Sequence, residues 1–291
     1  MNNNSQLETI EMNLLFDAIY RKYHYDFRNY SQASLKRRTK RFVKNEGLNS
    51  IAEAIPKVLY DSASMIRLLN EISVTVTSLF RDTEFWQTIR HTIVPTLQTY
   101  PSCRIWCAGC ATGEEAYSMA IMLYECGLWE RTRIYATDIN PVAIEQCNAA
   151  RIPLTDIEEY NKNYHCAGGN AALSDYVTID GEYAALKPFL RDKIVFSQHN
   201  LVTDESFNEF HIILCRNVLI YFNNELKDRV HNLLHNSLCP FGFLALGKKE
   251  SLTSTTHEKS YTCFSNTHKI YKKTITSNQT PQGFDEILLR R

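Results

Sequence analysis

From Cys103 to Leu246 the chain alternates short apolar, strand-like runs with helical stretches, and this alternation limits its fold more than any other feature. Arg104-Ile105-Trp106-Cys107 is the first run, and Met119 to Tyr124 lies in the helix that follows. Arg133-Ile134-Tyr135-Ala136-Thr137, Lys193-Ile194-Val195-Phe196, His211-Ile212-Ile213-Leu214-Cys215 and Phe243-Leu244-Ala245-Leu246 continue the series. Such alternation predicts an α/β sheet with helices on both faces. Residues from about Tyr160 to Phe189 interrupt the rhythm, with Gly168-Gly169 and Asp180-Gly181 as turns, and read as a small insert.

The earlier residues have another character. From about Leu7 to Leu69 the chain reads as helical. Leu14, Leu15, Ala18 and Ile19 give one apolar stripe, and Ile51, Ala54, Ile55, Val58 and Leu59 give another, with Gly47 between them. Ser73 to Thr77 is rich in β-branched residues and reads as extended. Asp82 then stands where it can cap a helix running through Phe85, Trp86 and Ile89. The expected organisation is a helical domain over 1–71, a linker over 72–82, and an α/β domain over 83–291 that carries an insert at 159–190. A chain of 291 residues is long enough for one large and one small domain.

Lys plus Arg and Asp plus Glu each total 32, so no whole-protein field draws in nucleic acid. Nine scattered cysteines do not form the spaced framework of a secreted disulfide protein. No apolar run approaches the roughly 20 residues that span a bilayer. Met1 to Glu11 lacks the plan of a signal peptide. A cytoplasmic protein without membrane insertion is expected.

The first strand leads into Ala108-Gly109-Cys110-Ala111-Thr112-Gly113-Glu114-Glu115 and then a helix. Glycines at such a corner let the backbone approach a ligand closely, or simply make a tight turn. The spacing is neither the Gly-x-Gly-x-x-Gly dinucleotide fingerprint nor a P-loop. Two glutamates at the helix start would repel a pyrophosphate. They suit the ammonium and sulfonium of S-adenosylmethionine, and equally the helix dipole. Asp138 ends the second strand, where an acid can accept from ribose hydroxyls. Asp138 or Asn140 would also serve as a helix cap before Pro141. Cys107-Ala108-Gly109-Cys110 is formally Cys-x-x-Cys, but no second cysteine pair supports zinc.

Together these segments resemble the CheR family, the chemotaxis receptor glutamate O-methyltransferases, from about Phe16 to Lys272. The resemblance is carried by Val76-Thr77-Ser78-Leu79-Phe80-Arg81-Asp82, Gly109 to Ser118, Ala136-Thr137-Asp138-Ile139, His199-Asn200-Leu201 and Cys215-Arg216-Asn217-Val218-Leu219-Ile220-Tyr221-Phe222. It implies a helical N-terminal domain, a linker, and a Rossmann-like methyltransferase domain with a small β subdomain. It also implies S-adenosylmethionine as cofactor, S-adenosylhomocysteine as product, and chemoreceptor cytoplasmic methylation helices as partners of a monomeric enzyme. By position, Thr77 and Arg81 match linker residues that reach the cofactor, Gly109 the glycine turn, and Asp138 the ribose-binding acid. Glu115 resembles the acid that binds the cofactor, and the sequence alone does not separate it from Glu114. Asn200-Leu201 and Arg216-Asn217 are similar to segments lining the adenosine pocket, and Tyr221, with Arg81, to the transfer site. Three positions depart from the family pattern: Thr75 stands for the usual Asn, His211 for Asp, and Lys249 for Ser in the late Gly-x-Ser-Glu.

A glutamate acceptor has an unperturbed pKa of about 4.3, so it is ionised at neutral pH and needs no general base. The missing His–Asp pair is therefore no obstacle. Tyr221 is suited to orienting the carboxylate, and Arg81 to holding acceptor and cofactor together. Lys36, Lys40 and Lys44 share a helix face at i, i+4 spacing, with Arg37 and Arg41 beside them. Such a run is either a solvated face or a surface that steers an acidic helix. Two rival readings remain: an S-adenosylmethionine-binding regulator without catalysis, and a methyltransferase of this fold with another acceptor.

Overall fold

The computed structural model describes residues 3–274. Four helices come first: α1 (Asn3–Tyr23), α2 (Gln32–Asn45), α3 (Ile51–Tyr60) and α4 (Ser62–Ile72). They enclose a core of their own that includes Leu15, Phe16, Ile19, Phe42, Ala54, Val58 and Leu68. The stripe of α1 runs through Met12, Leu15, Phe16 and Ile19, with i, i+3, i+4, i+7 spacing. Leu14, expected in that stripe, is instead 56% exposed. It lies one residue, or about 100°, away from Leu15 around the helix. The side chains of Ser50 and Asp61 cap α3 and α4, accepting from Glu53 N and Ala63 N.

Ser73 to Thr77 forms no strand and no helix. It crosses to α5 (Thr83–Thr88), which continues through a π-turn at Ile89–Ile93 into α6 (Val94–Leu97). Asp82 does not cap α5 with its side chain, contrary to the sequence expectation. Its left-handed backbone (φ 59°, ψ 65°) frees the carboxylate for other partners described below.

The α/β domain follows as β1 (Cys103–Ala108), α7 (Glu114–Glu125), β2 (Thr132–Asp138), α8 (Pro141–Ala149), β3 (Arg151–Pro153), α9 (Ile157–Cys166), β4 (Val177–Asp180), β5 (Tyr183–Leu186), α10 (Pro188–Arg191), β6 (Ile194–Gln198), β7 (Phe210–Cys215), α11 (Asn224–Ser237), β8 (Leu238–Leu246), β9 (Tyr261–Ser265) and β10 (Ile270–Lys273). Seven strands form one sheet in the order β6-β2-β1-β7-β8-β10-β9. Strands β6, β2, β1, β7 and β8 pair in parallel, while β10 is antiparallel to both neighbours. The order turns back at β1, so the crevice beyond its C-terminal end lies at a topological switch point. One apolar cluster, with Ile105, Met119 and Leu123, lies against α7, and another, with Trp106, Ile213 and Leu234, lies against α11. This is the Rossmann-like, doubly covered sheet.

The insert is a separate antiparallel sheet of order β3-β5-β4. Its first strand begins at Arg151, ahead of where the rhythm of the sequence visibly breaks. Three residues are too few to give a periodic signal.

Candidate active site

A cavity of about 230 Å³ opens beyond the C-terminal ends of β1, β2, β6 and β7. The turn after β1 enters it first. Gly109 has φ +76°, and a Cβ there would stand 2.5 Å from Val218 Cγ2. Only glycine lets this turn and the one after β7 approach so closely. Gly109 N and Cys110 N both donate to Thr137 O, tying the turn to the end of β2.

Asp138 ties the same turn from the other side. Its Oδ2 accepts from Ala111 N at 2.9 Å, and its Oδ1 from Asn140 N at 3.0 Å. Asn140 is the cap of α8, accepting from Val142 N, so the two roles the sequence left open fall to different residues. Burial pushes the Asp138 carboxyl up, opposed by those backbone N–H groups. A carboxylate offers about four lone-pair sites, more than these backbone donors occupy, so acceptor capacity remains for a ligand.

The two glutamates at the start of α7 part company. Glu115 lines the cavity, and its Oε2 accepts from Arg216 Nη1 at 2.9 Å. Glu114 is buried and accepts from Thr112 Oγ1 at 2.6 Å. Burial raises the Glu115 pKa, with Arg216 and Arg81 opposing. Arg216 is also bound through Nη2 to Asp82 Oδ2 at 2.6 Å, and it lies 4.0 Å over the Phe85 ring. Lys248 Nζ completes the chain at 3.0 Å from Asp82 Oδ1. Burial opposes the charge of Asp82, but Lys248 and Arg216 outweigh it and its pKa is lowered. Asp82, expected only as a linker residue and a helix cap, thus joins the site. An ion chain joining residues 82, 115, 216 and 248 has no local signature.

Of the other expected residues, Thr77, Arg81, Asn200, Leu201, Asn217 and Tyr221 line the cavity, and Thr75 does not. Phe80, Asp82, Ala111 and Asn217 all have positive φ, between 50° and 62°. Such backbone costs about 1–3 kcal/mol at each non-glycine position and persists only where the surroundings enforce it. The Ser118 Oγ that accepts from Phe80 N at 2.8 Å is one such restraint.

The helical domain closes the cavity, which the sequence did not foretell. Phe27, Tyr30, Ser31, Ser34 and Leu35 reach it from α2 and the segment before it, and Leu69 and Ile72 from α4. Ser31 N donates to Tyr221 O at 2.7 Å and Asn223 N to Asn29 O at 3.0 Å, while Tyr30 meets Phe222 edge to face. Tyr221 sits on a 3-10 turn, and its hydroxyl has no hydrogen-bond partner among the described residues. Burial pushes its phenol up, with Arg38, Arg81 and Arg37 opposing.

The basic run lies on α2, where Lys36 and Lys40 both grip Glu8 at 2.6 Å and Arg41 grips Glu71 at 3.0 Å. Arg37 and Lys44 are exposed and make no ion pair among the described residues. No group of His, Cys, Asp and Glu among the described residues is arranged to hold a metal, and no described helix is long and apolar enough to cross a membrane.

The donor set fits S-adenosylmethionine. It combines a glycine cradle at Gly109, an acid with spare acceptor capacity at Asp138, a carboxyl at Glu115 paired with Arg216, and on that buried Arg216 an Nε with no partner among the described residues. Residues 75–270 match the family model described as CheR methyltransferase, SAM binding domain, and residues 10–73 match CheR methyltransferase, all-alpha domain. The chain is 42% identical to Cher3 of Pseudomonas putida over 91% of its own length and 97% of that protein. It is 28% identical to an uncharacterized 104.1 kDa protein of Rhodobacter capsulatus, aligning with 85% of this chain but only 26% of that one. It is also 28% identical to the chemotaxis protein methyltransferase of Listeria innocua, over 78% of this chain and 84% of the relative. Helical cap, switch-point cavity and both domain matches agree: the chain belongs to the CheR methyltransferase family, with S-adenosylmethionine as its cofactor.

Proposed function

We propose that the chain esterifies glutamate side chains of chemoreceptor cytoplasmic helices, as a cytoplasmic monomer acting in chemotactic adaptation. One observation carries this reading. Tyr221 presents an unpartnered hydroxyl in the cavity that holds Glu115 and Asp138, within the field of Arg37, Arg38 and Arg81. A phenol donor among guanidinium groups favours an anionic acceptor.

S-adenosylmethionine supplies a methyl already activated by its sulfonium. Asp138 is assigned to the ribose hydroxyls, Glu115 and the linker residues Thr77 and Arg81 to the cationic end, and Asn200, Leu201, Arg216 and Asn217 to the adenosine. Thr75, outside the cavity lining, is left as a second-rank contact. An ionised carboxylate needs no proton removed, so the task of the protein is alignment and exclusion of water. Such orientation is worth roughly 7–11 kcal/mol in favourable systems. Tyr221 donates to one acceptor oxygen and leaves the other free to attack. Arg81 attracts the carboxylate without quenching it, because it is exposed and solvated.

The test is incubation with methyl-labelled cofactor and receptor cytoplasmic fragments, followed by mild base. Label released as methanol supports the ester. Base-stable label would point to a different acceptor, and binding without transfer to a regulator. The pairing of Lys36 and Lys40 with Glu8 leaves less free charge on α2 to steer an acidic helix, which among the rivals favours a methyltransferase with another acceptor.

A further inference from the structure

We propose that Glu250 is a positioning residue that fixes the turn carrying Tyr221, an inference that rests on the carboxylate-methylation reading above. Glu250 is 5% exposed and does not line the cavity. Its carboxylate nevertheless gathers backbone donors from two separate segments. Oε2 accepts from Gly247 N at 2.5 Å and from Asn217 N at 3.0 Å, and Oε1 accepts from Ile220 N at 3.3 Å. The two oxygens thus hold both ends of the turn that follows β7. Val218 O accepts from Tyr221 N and Ser31 N donates to Tyr221 O, so the main chain of Tyr221 is gripped on both sides.

Nothing cationic holds Glu250. Among the described residues it makes no salt bridge, and nearby Lys248 is spent on Asp82. Burial pushes its carboxyl up, and only backbone N–H groups oppose this. Burying a carboxylate without a counter-charge is unfavourable unless the donors it meets are fixed. One of these donors, Asn217, is held in the left-handed region at φ 62°. The segments also touch: a Cβ on Gly247 would lie 2.7 Å from Glu250 Oε2 and 2.8 Å from Asn217 N. An amide in place of the carboxylate must turn its NH₂ toward at least one of these N–H groups. The turn then loosens, and the Tyr221 hydroxyl loses its fixed place.

Three readouts on the full chain test this: turnover, S-adenosylhomocysteine affinity, and hydrogen exchange of residues 216–222. Glu250→Gln should lower turnover about ten- to a hundred-fold, the range for losing a bond to a charged group. Product affinity should stay within about threefold of the parent, and exchange at Asn217 and Ile220 should rise. In a Tyr221→Phe background the same substitution should cost less than about threefold, because the two residues act as one unit. Equal cost in both backgrounds, or unchanged exchange, would overturn the proposal. A parent chain that makes no base-labile ester would sink the functional reading alone, since exchange still decides whether Glu250 holds the turn. Should Glu250→Gln not fold, Gly247→Ala displaces the same carboxylate and is judged by the same exchange and turnover comparison.

Discussion

Replacing Asp138 separates the work this carboxylate does inside the protein from its work on a ligand. Oδ2 accepts from Ala111 N and Oδ1 from Asn140 N, and the carboxylate, which lines the cavity, keeps acceptor capacity beyond these bonds. Asp138→Asn keeps the shape, removes the charge, and turns an NH₂ either toward a backbone N–H or toward the ligand. Asp138→Ala removes all of these bonds and leaves two backbone donors to find water. Bonds to a charged group are worth about 1.5–3 kcal/mol, so cofactor affinity should fall roughly ten- to a hundred-fold in either variant. Stability should differ between them. Asp138→Ala should cost a further 1–3 kcal/mol or so for donors left unpaired, while Asp138→Asn loses less. Calorimetric titration with S-adenosylhomocysteine gives the first quantity and urea unfolding the second. A folded Asp138→Ala protein with parental affinity would falsify the assignment of Asp138 to the ribose. An affinity loss that scales with the stability loss would instead place its effect in the Gly109 turn.

Tyr221→Phe keeps the ring and deletes one donor, so turnover on receptor fragments should drop about ten- to a hundred-fold with cofactor affinity retained; normal turnover would demote Tyr221 to packing. Reversing Arg37 and Lys44 to Glu should slow receptor methylation, most at low salt, without moving cofactor affinity. Equal rates across a salt series would make α2 a solvated face. Reversing Lys36 and Lys40 is a poorer probe, because it also sets two new acids against Glu8 and loosens α1 from α2. His231 is 1% exposed, and burial depresses its pKa from 6.5 to about 4. A base kept neutral by folding contributes stability in full above pH 6.5, and that stability is lost as pH falls from there toward about 4. The urea midpoint should therefore drop between pH 7 and 5, and less steeply in His231→Gln; parallel slopes would show that other groups govern the acid limb.

The sequence by itself determined the strand series, the helical character of the first seventy residues and the glycine corner, because each is a local pattern. A short apolar run bounded by a turn, or a glycine beside a strand end, carries its meaning within a few positions. It also fixed which residues resemble a methyltransferase site, since the blocks around Gly109, Asp138 and Arg216 are contiguous. Local pattern could not divide Glu114 from Glu115, one helix step apart. Only the position of α7 against the β7 turn sends Glu115 to Arg216 and Glu114 to Thr112. Nor did it reveal that Asp82 leaves its cap position for Arg216 and Lys248, that Glu250 holds the Tyr221 turn, or that α2 and α4 roof the cavity. Those contacts join residues more than a hundred positions apart in several cases, and they exist only once the sheet order has brought the ends of β1, β2, β6 and β7 to one edge. A side chain's partners at that distance are set by packing geometry, which no window of sequence contains.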